Sequence, residues 1–313
     1  MRTVGPLRSA FTTGRQATVS RTCAYPRPPL SPTLRTGGRR PAPGRCHHDA
    51  VTPHPIQVVA HRGASEDAPE HTLAAYVRAI EDGADALECD VRLTADGHLV
   101  CVHDRRINRT SNGRGAVSAL ELSELAALDF GSWKDSEESP DWGDREFTSV
   151  LTLERLLELV ADAGRPIELA IETKHPTRWA GQVEERLLQL LKRFGLDAPA
   201  APAESPVRIM SFSSRSLQRI AAAAPTVPTV YLMQFLQLRV RDARLPAGAR
   251  IAGPGIRLVR NHPAFIERLH AAGHQVHVWT VNEPEDVDLC VGLGVEAIIT
   301  NRPRQVLAQL GRR

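Results

Sequence analysis

Residues 58–76, VVAHRGASEDAPEHTLAAY, change character twice. The β-branched pair Val58-Val59 reads as a buried strand, and His61-Arg62-Gly63 ends it with charge and a glycine. A polar loop with Pro69-Glu70 follows, and from Thr72 the apolar positions recur at helical spacing. Strand, short loop and helix in that order form the repeating unit of an α/β fold. The unit recurs along the chain, with β-rich runs at 56–60, 86–91, 167–171, 207–212, 229–233, 250–253, 275–280 and 296–300. Most are separated by amphipathic stretches such as LTLERLLELVADAG, GQVEERLLQLLKRFG and HPAFIERLHAAG. Eight such runs, each returning parallel to the last, predict a (β/α)8 TIM barrel over residues 56–313.

One run falls outside the count. LVCVHD, residues 99–104, follows the second strand across TADG, and Asp-Gly between apolar runs is a hairpin signal. It predicts an extra arm folded back on that strand. A two-residue turn at Asp96-Gly97 sets His103 opposite Asp90, and one residue less sets it opposite Glu88. Residues 105–150 are polar, Gly- and Ser-rich and too long for a simple strand-to-helix loop, so they predict a small capping insertion over the barrel mouth. The GRGAVS within them reads as a turn rather than a phosphate loop.

Composition bounds the function. The whole-chain charge of +3 hides two unlike parts: nine arginines against one acid give residues 1–55 a charge of +8, which leaves −5 for the rest. An acidic body excludes a basic nucleic-acid-binding face. Residues 1–55 are rich in Arg, Pro, Ser, Thr and Gly without hydrophobic periodicity, which predicts disorder. They lack the apolar core of an export signal; their Arg- and Ser-rich composition suits a transit peptide, though without a clear amphipathic pattern, and a start near Val51 is the plainer alternative. No apolar run nears the roughly 20 residues of a bilayer span. Cys89, Cys101 and Cys290 sit in strand- or helix-like contexts, there is no Cys-x-x-Cys pair, and a reducing, cytoplasmic setting is expected. CHHD at 46–49 lacks a fixed fourth ligand and reads as incidental.

In a barrel the C-terminal strand ends share one face, where catalysis takes place. Here those ends carry His61 and Arg62, Glu88 and Asp90, Glu172 and Lys174, and Trp279. Glu88 and Asp90 are two apart, so they point to one side of their strand; Glu172 and Lys174 do the same. Three carboxylates pointing inward repel unless something positive lies among them, and an all-oxygen set suits Mg²⁺ or Ca²⁺ better than zinc. Arg62 and Lys174 would then hold an anionic substrate. His61 and His103, with an ordinary pKa of ~6.5, suit a general base and a general acid near neutrality. Metal ligation, or a plain strand-end role, stays open for either.

The ordered motifs HRGASEDAPEHT, ECDVRLTADGHLVCVHD, LAIETK, MSFSSRSL, VWTVN and GVEAIITNRP resemble the glycerophosphodiester phosphodiesterase family over about 57–305. The resemblance implies hydrolysis of a small-molecule glycerophosphodiester to glycerol 3-phosphate and an alcohol, with a divalent metal, Mg²⁺ or Ca²⁺. It implies metal ligation by Glu88, Asp90 and Glu172, acid-base roles for His61 and His103, phosphate contacts from Arg62 and Lys174, and a pocket wall from Trp279. The chain departs from the pattern at His71, where the family has Asn, and at Glu296-Ala297-Ile298-Ile299-Thr300-Asn301, where the family has Asp-Gly-Ile-Ile-Thr-Asp. The alternatives are a phospholipase acting on lipid headgroups, which calls for a wider, more apolar mouth in 105–150, and a non-catalytic glycerophosphodiester-binding protein.

Overall fold

The computed structural model describes residues 55–134, 145–175 and 181–312. Eight parallel strands close into a barrel: β1 (Gln57–His61), β2 (Ala86–Leu93), β4 (Glu168–Thr173), β5 (Val207–Ser211), β6 (Thr229–Met233), β7 (Ile251–Pro254), β8 (Gln275–Val278) and β9 (Ala297–Thr300). β1 pairs with both β9 and β2, which closes the ring, and β3 (Leu99–Cys101) lies antiparallel on β2 outside the ring. All eight predicted runs are barrel strands, with ends displaced by at most two residues. The sequence expectation for residues 1–54, CHHD included, falls outside the described residues.

Strand alternation explains the core. Every second residue faces the lumen, where Val59, Ala86, Ala170, Met210, Val230, Leu232, Ile251, Ala297 and Ile299 form one buried cluster. The intervening residues, such as Val58, Leu87, Ile171 and Val276, pack outward against the helices. Those helices are α1 (Leu73–Glu81), the short α2 (Leu122–Ala126), α3 (Leu153–Ala161), α4 (Gln182–Arg193), α5 (Ser214–Ala223), α6 (Ile256–Asn261), α7 (Pro263–Ala271), α8 (Pro284–Gly292) and α9 (Pro303–Gln309). Hydroxyl caps start several of them: Thr72 accepts from Ala75 N–H, Thr152 from Arg155 N–H and Ser213 from Ser216 N–H. The strict alternation fails once, because β6 reaches β7 through two short 3₁₀ turns, Leu238–Val240 and Pro246–Gly248, with no α-helix between.

The hairpin corrects the expected register. Thr94 N–H bonds His98 C=O, leaving a three-residue turn, Ala95-Asp96-Gly97, with Gly97 at φ 87°. The ladder pairs Val91 with Cys101 and Leu93 with Leu99, so its continuation sets His103 opposite Cys89, between the two predicted registers. Strand geometry stops at Cys101, however, and the chain bends before His103, so the side chain escapes the parity of the strand.

The insertion after β3 has its own small core of Val100, Val102, Ile107, Val117, Leu125 and Phe130. It meets the strand-end loops through two cations. Lys134 Nζ donates to Ser65 C=O at 2.8 Å, and Arg109 forks onto Glu70 at 2.7 and 2.8 Å. Both flank Trp133, each 5.9 Å from its ring centroid.

Candidate active site

The registers bring the charged strand ends together. His61 on β1 is the parallel partner of Glu88 on β2, and Asp90 on β2 is the partner of Glu172 on β4. Each carboxylate of Glu88, Asp90 and Glu172 offers an oxygen within 4.8 Å of the other two, and all three side chains are buried. A cavity of about 300 Å³ opens above them, lined on its polar side by His61, Arg62, Glu88, His103, Glu172 and Lys174. The rest of the lining is Met210, Phe212, Leu232, Trp279 and Ile299, with the polar Gln234 and Thr280. All eight site residues named from the sequence therefore belong to this strand-end cluster, seven of them lining the cavity and Asp90 among the carboxylates beneath.

The turn after β1 builds one edge of the site. Arg62 has φ 57° and Gly63 φ 83°, and a Cβ on Gly63 would lie 2.6 Å from the Ala75 carbonyl carbon, so only glycine fits between this turn and α1. The tight turn aims Arg62 N–H at Glu88 Oε2, 3.0 Å away, and turns the Arg62 guanidinium toward the acids. Its Nη1 donates to Glu70 Oε1 at 3.0 Å, and its Nε lies 3.2 Å from Asp90 Oδ2. Lys174 places its ammonium 2.9 Å from Glu172 Oε1 and 3.2 Å from Asp90 Oδ1.

The three acids do not share charge equally. Burial pushes the Asp90 carboxyl up, but the His71 hydrogen bond, Lys174 and Arg62 outweigh it and hold the group well below the usual range. Glu88 is raised well above its ordinary value by burial and by the Asp90 charge, against the pull of Arg62. Burial and Asp90 likewise raise Glu172 to about 8, with Lys174 opposing. Burial and mutual repulsion thus disfavour charge on two of the three carboxylates. A buried, all-oxygen donor set whose oxygens lie within 4.8 Å of one another fits a hard divalent cation such as Mg²⁺ or Ca²⁺.

Both histidines are oriented by a partner on Nδ1. His61 Nδ1 faces Asn301 Oδ1 at 2.6 Å, and His103 Nδ1 faces Asp104 Oδ1 at 2.7 Å. An acceptor at Nδ1 fixes the proton there and leaves each Nε2 available to the cavity. Burial and the Arg62 charge lower His61 to about 3. Burial also lowers His103, partly offset by Asp90 and by its bond to Asp104.

Several positioning groups were not read from the sequence as such. Glu70, Asp104 and Arg109 form a chain in which Arg109 Nε donates to Asp104 Oδ2 at 2.8 Å while its other nitrogens hold Glu70. Asn301 and His71 showed only as departures from a motif; their roles arise from contacts across the barrel end. Trp279 is pinned by its indole N–H to Gly253 C=O at 2.7 Å, and Phe212 meets it edge-on at 5.4 Å.

A closed parallel barrel with acids, cations and oriented histidines at its C-terminal strand ends is an α/β-barrel enzyme with a site built for an anion. The chain belongs to the glycerophosphoryl diester phosphodiesterase family, whose model matches residues 61–305, and with that family it is a phosphoric diester hydrolase. It is 47% identical over 262 residues to the probable glycerophosphodiester phosphodiesterase 1 of Mycobacterium tuberculosis, covering 84% of this chain and 94% of that one. With the glycerophosphodiester phosphodiesterase of Bacillus subtilis it shares 34% over 259 residues, 81% of this chain and 86% of the other. Its fold matches an Oleispira antarctica phosphodiesterase solved with the product sn-glycerol-3-phosphate, with TM-score 0.65, 25% identity and coverage of 82% and 96%.

Proposed function

We propose that the chain hydrolyses glycerophosphodiesters to glycerol 3-phosphate and an alcohol at a divalent-metal site, with His61 and His103 as the acid-base pair. The observation that carries this reading is the buried carboxylate trio, with its oxygens within 4.8 Å of one another, under a cavity whose polar side holds two cations and two histidines. Glu88, Asp90 and Glu172 would hold the metal, which when bound would withdraw charge from the phosphoryl oxygens. Arg62 and Lys174 orient the diester anion and balance the charge that builds on it during attack. His61 Nε2, neutral because its ring is buried beside Arg62, takes the proton of the attacking hydroxyl, which belongs to water or to the neighbouring glycerol carbon. Burial is the larger cause of the lowered His61 pKa, but a phosphate anion against Arg62 offsets the Arg62 part of it, so the ring becomes a better base once substrate is bound. His103 takes a second proton on Nε2 when the bound phosphate anion offsets the burial that lowers its pKa and Asp104 holds Nδ1–H, and it gives that Nε2 proton to the departing alkoxide as the phosphorus–oxygen bond breaks.

The apolar wall comes from β5, β6, β8 and β9 or the residues just after them, and residues 105–134 and 145–150 contribute no lining residue. The wide apolar mouth expected of a headgroup phospholipase in that region is therefore not what the described residues form. A substrate small enough for about 300 Å³ is favoured. The reading is tested by assaying glycerol 3-phosphate release from a panel of glycerophosphodiesters, with and without divalent metal. Release that needs Mg²⁺ or Ca²⁺ supports it, and full turnover in excess EDTA after dialysis overturns the metal assignment.

A further inference from the structure

His71 occupies a strained position for a purpose the catalytic set does not explain. Its φ is 62°, in the left-handed region, and its side chain is almost wholly buried under the acid cluster. Nε2 lies 2.8 Å from Asp90 Oδ2, and Nδ1 lies 2.9 Å from the Tyr76 hydroxyl, itself buried on α1. A carboxylate oxygen accepts, so across the 2.8 Å to Asp90 Oδ2 His71 Nε2–H is the donor. Arg62 Nε and Lys174 Nζ each lie 3.2 Å from Asp90, on Oδ2 and Oδ1 respectively, and each cation is also held by a second acid, Glu70 and Glu172. The ring is fixed from both sides, by Asp90 and by Tyr76.

The geometry points to His71 as a positioning residue for metal binding, one that occupies Asp90 Oδ2 and so turns Oδ1 toward Glu172 and the cation. This rests on the metal reading proposed above. Hydrogen bonds to the outer oxygen of a ligating carboxylate fix which oxygen faces the metal, and their loss typically costs ~10–100-fold in affinity. His71 does not itself enter the cavity lining and touches no reacting atom.

Two substitutions separate the donor to Asp90 from the bulk of the ring. A glutamine side-chain nitrogen falls where imidazole Nε2 lies, so His71→Gln keeps the donor to Asp90, whereas His71→Leu fills the space and offers no donor. The experiment measures Mn²⁺ binding to the full-length protein by electron paramagnetic resonance, beside melting temperature and kcat at saturating Mn²⁺. Gln should bind Mn²⁺ within about threefold of the parent, whereas Leu should bind ~10–100-fold more weakly and regain kcat when Mn²⁺ saturates. Leu binding as tightly as the parent overturns the inference, whatever the melting temperatures do, because a purely structural role would move stability and leave Mn²⁺ affinity alone. If the Leu variant does not fold, His71→Ala takes its place with the same two outcomes. A parent protein that binds no Mn²⁺ fails the metal reading itself, an outcome distinct from parent and Leu variant binding alike.

Discussion

At the scale of single residues, the site is a contest between burial and charge. Glu172 is held up at about 8 because its carboxylate is buried beside Asp90, and a cation among the three acids reverses that balance. Glu172→Gln should therefore weaken Mn²⁺ or Ca²⁺ binding by about tenfold or more, read by calorimetry, since it removes one negative donor from a site held by charge. The two histidines divide by leaving group. Each acid-base role is worth ~10²–10⁴-fold, so His61→Ala and His103→Ala should both be severely impaired on a natural alcohol leaving group. On a p-nitrophenyl diester the phenolate leaves without a proton, and His103→Ala alone should recover much of its rate. Both variants equally inactive on both substrates, while folded and metal-bound, would show that the rings position rather than transfer protons.

At the scale of elements, two clamps join separate pieces of chain. Arg109, from the insertion, ties Glu70 of the β1–α1 loop to Asp104 behind His103. Arg109→Ala should lower kcat/KM by ~10–100-fold through misplaced groups, with little change in melting temperature because the arginine is largely exposed. The second clamp is Glu184 on α4, buried, with Oε1 3.2 Å from both His175 Nε2 and Arg219 Nη1 on α5. Burial pushes its pKa up, but the hydrogen bonds from His175 and Ser216 dominate and lower it from 4.5 to about 2. A lowered folded pKa means stability that is present above about 4.5 and is lost as pH falls toward 2. Glu184→Gln should cost ~1–3 kcal/mol at pH 7 in chemical denaturation and flatten the loss of stability between pH 4.5 and 2. An unchanged acid profile would assign that loss to other groups.

At the scale of the whole molecule, the barrel's ladder runs from Gln57 to Thr300 and closes on itself through β1 and β9. Removal of residues 1–50 should accordingly leave both melting temperature and turnover nearly unchanged, and a large fall in either would show that the segment packs or acts. No helix among the described residues is long and apolar enough to cross a membrane.

The sequence by itself determined the architecture, because strand and helix periodicities are local properties and survive eight repeats without help from contacts. It also determined which end of the barrel matters, since His61, Glu172 and Lys174 fall at or just past the ends of their strands, where strands of a parallel barrel share a face, and Glu88 and Asp90 lie two apart on β2 and so point to one side. Turn geometry was beyond it: Thr94-Ala95-Asp96-Gly97 allows more than one closure, and the three-residue turn shifts the ladder by one and leaves His103 to be aimed by a bend. Only tertiary structure decided that Asn301 stands behind His61, that Arg109 reaches Glu70 across 39 positions, and that His71 lies under Asp90. Those contacts join residues with no fixed spacing, set by how loops from different strands meet on one rim, and no local pattern encodes such a meeting.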